Sequence, residues 1–116
     1  MMLIGELAQK TGLSKDTIRL YEQMSLIMAS DRQAGSRIYK EFGAETIERL
    51  QLITQGKSLG FTLNEMKQLM DASIDGSLPL DEKVKIIKVK LEQVNNKIRQ
   101  LQEIEIQLTV KLNKLK

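Results

Sequence analysis

The chain has 116 residues, enough for one small domain with an extension and too few for two sizeable cores. Its aromatic content of 3% and single proline, beside abundant Leu, Ile, Lys, Glu and Gln, favour helices over sheets. The absence of cysteine and histidine excludes disulfides and thiolate or imidazole metal sites and removes the usual enzymatic nucleophiles and bases, so neither catalysis nor a cofactor is expected.

No run of about 18 apolar residues exists, and the N-terminus lacks the charged-then-apolar layout of a signal peptide, so a cytoplasmic protein with no membrane partner is expected. Net charge is +3, from 18 basic and 15 acidic residues. Its distribution says more. Residues 10–40 hold six bases (Lys10, Lys15, Arg19, Arg32, Arg37, Lys40) and three acids, whereas residues 41–71 hold three bases and five acids. Positive charge therefore gathers in one segment, as on a face that meets a polyanion. A solvated face with no partner is the plain alternative.

The first helix is expected at 4–11, with Leu3, Leu7 and Ala8 on one face, and Gly12 and Leu13 make a turn. Ser14 then caps a second helix at 15–24. Ile18 packs inward, leaving Lys15, Thr17, Arg19 and Tyr21 outward; one positive charge per turn with hydroxyls between suits phosphates and base edges. Lys15 and Asp16 are best placed to reach bases, the lysine favouring guanine and the aspartate accepting from a cytosine amine. Asp16 serves equally well to neutralise the helix N-terminus. Arg19 can fork two donors onto a phosphate while the Tyr21 hydroxyl donates another bond. The competing view makes Tyr21 a core residue and pairs Arg19 with Glu22.

Across 28–42, Arg32-Gln33-Ala34-Gly35-Ser36-Arg37-Ile38-Tyr39 reads as a glycine turn leading into a short alternating strand, a wing carrying Arg37, Tyr39 and Lys40. Helices follow at 45–58 and 63–73, with Gly60 stopping the former and a Thr62/Glu65 capping box starting the latter. Ile47, Leu50, Ile53, Phe61, Leu63, Met66, Leu69 and Met70 are expected to close a core over the first two helices. Met24, Met28, Met66 and Met70 read as core filler.

Asp75-Gly76-Ser77-Leu78-Pro79 is a linker, dividing residues 1–74, 75–80 and 81–116. Beyond it Val84, Ile87, Leu91, Val94, Ile98, Leu101, Leu108, Leu112 and Leu115 recur at alternating steps of three and four, interrupted by Glu105. Such a stripe is a coiled-coil seam, and dimerisation is its natural outcome. Glu105 sits at a splayed end while Ile104 and Ile106 rotate in, or else it sets register or orientation.

The helix-turn-helix from Ile4 to Glu22, the wing and the segment Ser58-Leu59-Gly60-Phe61-Thr62-Leu63-Asn64-Glu65 together resemble the mercury-resistance regulator (MerR) family of winged helix-turn-helix transcription factors. That family's helix reads Thr-Ile/Leu-Arg-Tyr-Tyr-Glu and its wing Gly-Tyr-Arg-x-Tyr. The resemblance implies a mainly α fold, a winged helix-turn-helix domain followed by a long dimerisation helix in an antiparallel coiled coil. It further implies a homodimer that binds an inverted repeat in double-stranded promoter DNA and distorts it, with RNA polymerase as a partner. The residues expected at DNA are Ser14, Lys15, Asp16, Thr17, Arg19, Tyr21, Arg37, Tyr39 and Lys40; of these, Arg19, Tyr21, Arg37 and Tyr39 match the family's motifs, which implies Arg19 and Tyr21 on the backbone.

Leu20 and Ser36 replace two of the family's tyrosines. The long step from Tyr39 to Ile47 leaves a second wing register, in which Tyr39-Lys40-Glu41-Phe42 holds the contact positions. Family members usually carry an effector module beyond the coil; this chain still reads as coil at Lys116, so the sensor is missing, supplied by a partner, housed between coil and DNA domain, or lost by truncation. Two other classes compete: an excisionase-like architectural factor, and a coiled-coil interaction protein without DNA binding.

Overall fold

Short-range capping fixes the first two helices. In the structure, a computed structural model describing residues 1–72 and 78–116, α1 spans Ile4–Thr11 and α2 spans Lys15–Gln23. Gly12 adopts φ 74°, a left-handed conformation costly for residues with a β-carbon, and its N–H donates to the Ala8 carbonyl to end α1. Ser14 starts α2 by accepting from the Thr17 N–H at 3.1 Å. Leu7, Ile18 and Tyr21 are buried between the helices, whereas Leu3, expected on the inner face, is the exposed N-cap of α1.

The end of α2 is a closed hydrogen-bonded loop. Ser25 adopts φ 61°, its N–H donates to Glu22 O at 3.0 Å, and the Leu26 N–H reaches back to Tyr21 O at 2.9 Å. These are the two bonds of a Schellman motif, and the accompanying apolar contact falls on Tyr21 and Leu26, both buried. Leu26 and Ile27 thus enter the core while Met28, expected there, is 74% exposed. Arg49 Nε donates to Leu26 O at 3.0 Å and fastens this segment to the third helix.

The wing is an antiparallel ribbon of β1 (Ser30–Ala34) and β2 (Arg37–Glu41), with Arg32 opposite Tyr39 and Ala34 opposite Arg37. Gly35, at φ 65°, and Ser36 form the two-residue loop, and only the glycine has positive φ, the pattern of a II′ turn. A solvent-exposed two-stranded ribbon is marginal alone. Its base is held by Phe42, which exchanges backbone hydrogen bonds of 2.8 and 2.7 Å with Met2; both side chains are buried.

Helices α3 (Glu45–Ser58) and α4 (Leu63–Asp71) complete the first unit. Gly60 at φ 91° closes α3 with a second pair of Schellman bonds, Gly60 N–H to Lys57 O and Phe61 N–H to Gly56 O, both 3.0 Å. Both bonds of the Thr62/Glu65 capping box are present at the start of α4. Leu50, Ile53 and Met66 are buried, and Ile47, Phe61, Leu63, Leu69 and Met70 pack partly buried against them. Each fully buried Leu or Ile contributes roughly 1.5–3 kcal/mol of transfer free energy.

The chain divides into two units, Met1–Gly76 and Ser77–Lys116. Residues 75–77 of the linker expected at 75–80 lie outside the described residues, as does the expected last residue of α4, and Leu80, expected in the linker, is the first residue of the long helix. The second unit is a single 36-residue helix, α5 (Leu80–Leu115), in which no residue is buried. Its seam residues are 40% to 86% exposed, so one chain leaves the apolar stripe uncovered.

Candidate nucleic-acid interface

A cleft of about 880 Å³ opens between the N-terminus of α1, the outer side of α2 and the wing. Four cations line it: Lys15 and Arg19 from α2, and Arg32 and Lys40 from the wing. Glu6 and Glu22 are the acids. The Lys15 stem crosses the start of α1, with Cε 3.8 Å from where a β-carbon would stand on Gly5. Lys15, Asp16, Arg19 and Leu20 form an exposed face of α2, and the Asp16 side chain is 96% exposed.

Carboxylates hold three of these cations. Arg19 Nη1 lies 3.1 Å from Asp16 Oδ1, Arg32 Nη1 lies 3.2 Å from Glu41 Oε1, and Lys40 Nζ lies 2.5 Å from Glu22 Oε1. Arg19 thus pairs with the acid one turn before it, not with Glu22 as the competing reading supposed. Among the described residues Lys15 and Arg37 make no ion pair. Exposed pairs are weak in water, so a phosphate can take over the cations at little cost.

Two hydroxyls are less available than expected. The Ser14 hydroxyl donates to Thr17 Oγ1 at 2.8 Å while accepting the Thr17 N–H, and Thr17 is half-buried rather than outward. Tyr21 also differs, being only 3% exposed with its ring in the core. No buried side-chain nitrogen or oxygen among the described residues lacks a partner, and no hydrogen bond engages the Tyr21 hydroxyl. That oxygen therefore reaches the surface from a buried ring, still able to donate.

On the wing, Arg37 and Tyr39 lie two residues apart on β2 and so share a face, next to the Gly35 turn. Phe42 is core, which removes it from the alternative register. Arg37 stands next to the exposed hairpin turn, outside the cleft that Tyr39 and Lys40 line. Sequence reasoning missed Arg32 as a site residue; the signal was its place opposite Tyr39, visible only once the hairpin register is fixed. Gly5 was missed too, since nothing local marks the close passage of Lys15.

A two-helix motif with a cationic outer face, flanked by a β-hairpin and backed by two further helices, defines a winged helix-turn-helix protein. The model of the MerR HTH family regulatory protein matches residues 2–73, and the model described as MerR, DNA binding matches residues 47–110. The mercuric resistance operon regulatory protein of Bacillus cereus is 37% identical over 103 residues, covering 88% of this chain and 76% of its own. The lead(II)-bound transcription regulator PbrR691 of Ralstonia metallidurans CH34 has a similar structure, with TM-score 0.81, 28% identity and coverage of 94% and 84%. HiNmlR, a MerR family regulator lacking the sensor domain and solved bound to promoter DNA, shares the fold at TM-score 0.57 and 22% identity, covering 95% and 86%. The chain belongs to the MerR family of transcriptional regulators. Its relatives are regulators, not enzymes, and no helix among the described residues is long and apolar enough to cross a membrane.

Proposed function

We propose that this chain is a cytoplasmic regulator that binds an inverted repeat in promoter DNA as a homodimer and distorts the duplex toward a form RNA polymerase can use. The cation-lined cleft between α2 and the wing carries this reading: Lys15 and Arg19 face Arg32 and Lys40 across a space open to a backbone strand. Residues 1–74 bind DNA in this scheme, with Lys15 and Asp16 at base edges and Arg19, Tyr21, Arg37, Tyr39 and Lys40 on phosphates. Ser14 and Thr17 contribute by positioning the start of α2, since their hydroxyls engage each other.

Residues 81–116 supply the dimer. A stripe of nine apolar residues on a helix with no buried residue calls for a partner, and a rigid coil fixes the distance between half-sites. Deforming the DNA costs free energy that contacts from two wings and two α2 helices offset. The metals in the relatives' names do not carry over to these 116 residues: mercury and lead favour soft thiolate ligands, and no cysteine is present. Sedimentation of the protein with a promoter fragment tests the reading. Two chains per inverted repeat are expected, and one chain per fragment contradicts it.

A further inference from the structure

One acidic residue interrupts the apolar seam of α5. The helix continues unbroken for ten residues beyond Glu105, and Leu108, Leu112 and Leu115 extend the stripe, so the carboxylate does not sit at a frayed end. Leu101, Ile104, Leu108 and Leu112 surround it in a shallow apolar depression of about 310 Å³. Among the described residues Glu105 makes no ion pair, and neither does Lys88, which flanks the seam near the other end. Glu105 lies 17 positions after Lys88, about 26 Å along the helix, so the two cannot meet within one chain.

A second copy of α5 brings them together in only one arrangement. In a parallel, in-register pair each seam residue meets its own counterpart, and two Glu105 carboxylates oppose each other inside an apolar seam. Head to tail, the alternating steps of three and four read the same from either end, so apolar layers stay aligned. Two such registers bury ten layers: one from Leu80 to Leu112, the other from Val84 to Leu115. Equal coverage leaves charge to decide. The first sets Glu105 opposite Ile87 of the second copy and beside its Lys88; the second sets it opposite Val94 and beside the neutral Asn95. Twofold symmetry makes each contact twice.

We propose that, in the head-to-tail pair the family resemblance implies, Glu105 fixes the register through Lys88 of the second copy. The inference rests on the homodimer proposed above and adds which residue sets its register. Specificity here comes from the cost of wrong pairings, as polar seam residues impose in other coils.

The test uses the full chain labelled with a spin probe at Glu82→Cys, which lies off the seam in a sequence with no native cysteine. Pulsed dipolar spectroscopy is expected to give one distance of about 42 Å, from 28 residues of helical rise. The Val84–Leu115 register would add about 10 Å, and a parallel pair would bring the probes within about 20 Å. Glu105→Lys should scatter the main distance, and Glu105→Lys with Lys88→Glu should restore it. A main distance at either other value, or one unmoved by Glu105→Lys, overturns the proposal while leaving the dimer intact. A monomer in sedimentation overturns both.

Discussion

Lys40 Nζ on β2 lies 2.5 Å from Glu22 Oε1 on α2, joining the wing to the helix that carries the cationic face. The pair steadies the cleft and also neutralises one of its cations. Lys40 is more than half exposed and Glu22 about one-fifth, so solvent screens the attraction and its net worth stays below about 1 kcal/mol. Glu22→Gln should therefore change thermal stability little. Releasing Lys40 should tighten DNA binding several-fold and steepen its logarithmic salt dependence by about one. Fluorescence anisotropy over a salt series checks both, and weaker binding would show that the pair's positioning role dominates.

Arg19→Ala removes a cation from the cleft, and Arg37→Ala removes one from beside the hairpin turn outside it. Each should weaken binding to operator DNA and lower the salt slope by about one, because one fewer phosphate is neutralised. Affinity unchanged at moderate salt would remove that residue from the interface.

Ser25 holds a left-handed conformation, φ 61°, without being glycine. Asparagine and glycine tolerate that region more readily. Ser25→Gly keeps both loop bonds and relieves the β-carbon, so denaturant melts should show stability raised by up to about 1 kcal/mol. A loss of stability would mean that unfolded-chain entropy outweighs the relief.

Thr62→Ala deletes the acceptor for the Glu65 N–H and dismantles the capping box. A loss of about 1 kcal/mol is expected in the same melts, since the Glu65 N–H in the first turn of α4 loses its side-chain acceptor. Unchanged stability would mean that water replaces the threonine fully.

Features set by neighbours in sequence were legible: Gly12, Ser14, Gly60 and the Thr62/Glu65 box work through bonds spanning a few residues. Features set by distant pairing were not. Phe42 reads as a wing residue until its bridge to Met2, forty positions away, places it in the core. Met28 reads as filler until the bend at Ser25 turns Leu26 and Ile27 inward in its place. Tyr21 was the ambiguous case, because an amphipathic ring with a polar tip fits a surface and a core equally well. The structure places its ring in one and its hydroxyl at the other.

Protection of the protein's own promoter from nuclease cleavage, together with transcription from the same DNA, tests the central claim most directly. A footprint over two inverted half-sites, with enhanced cleavage at the distorted centre and a change in transcript yield, is expected. Failure to protect that DNA at low salt, or protection of a single half-site with transcription unaltered, would contradict the account.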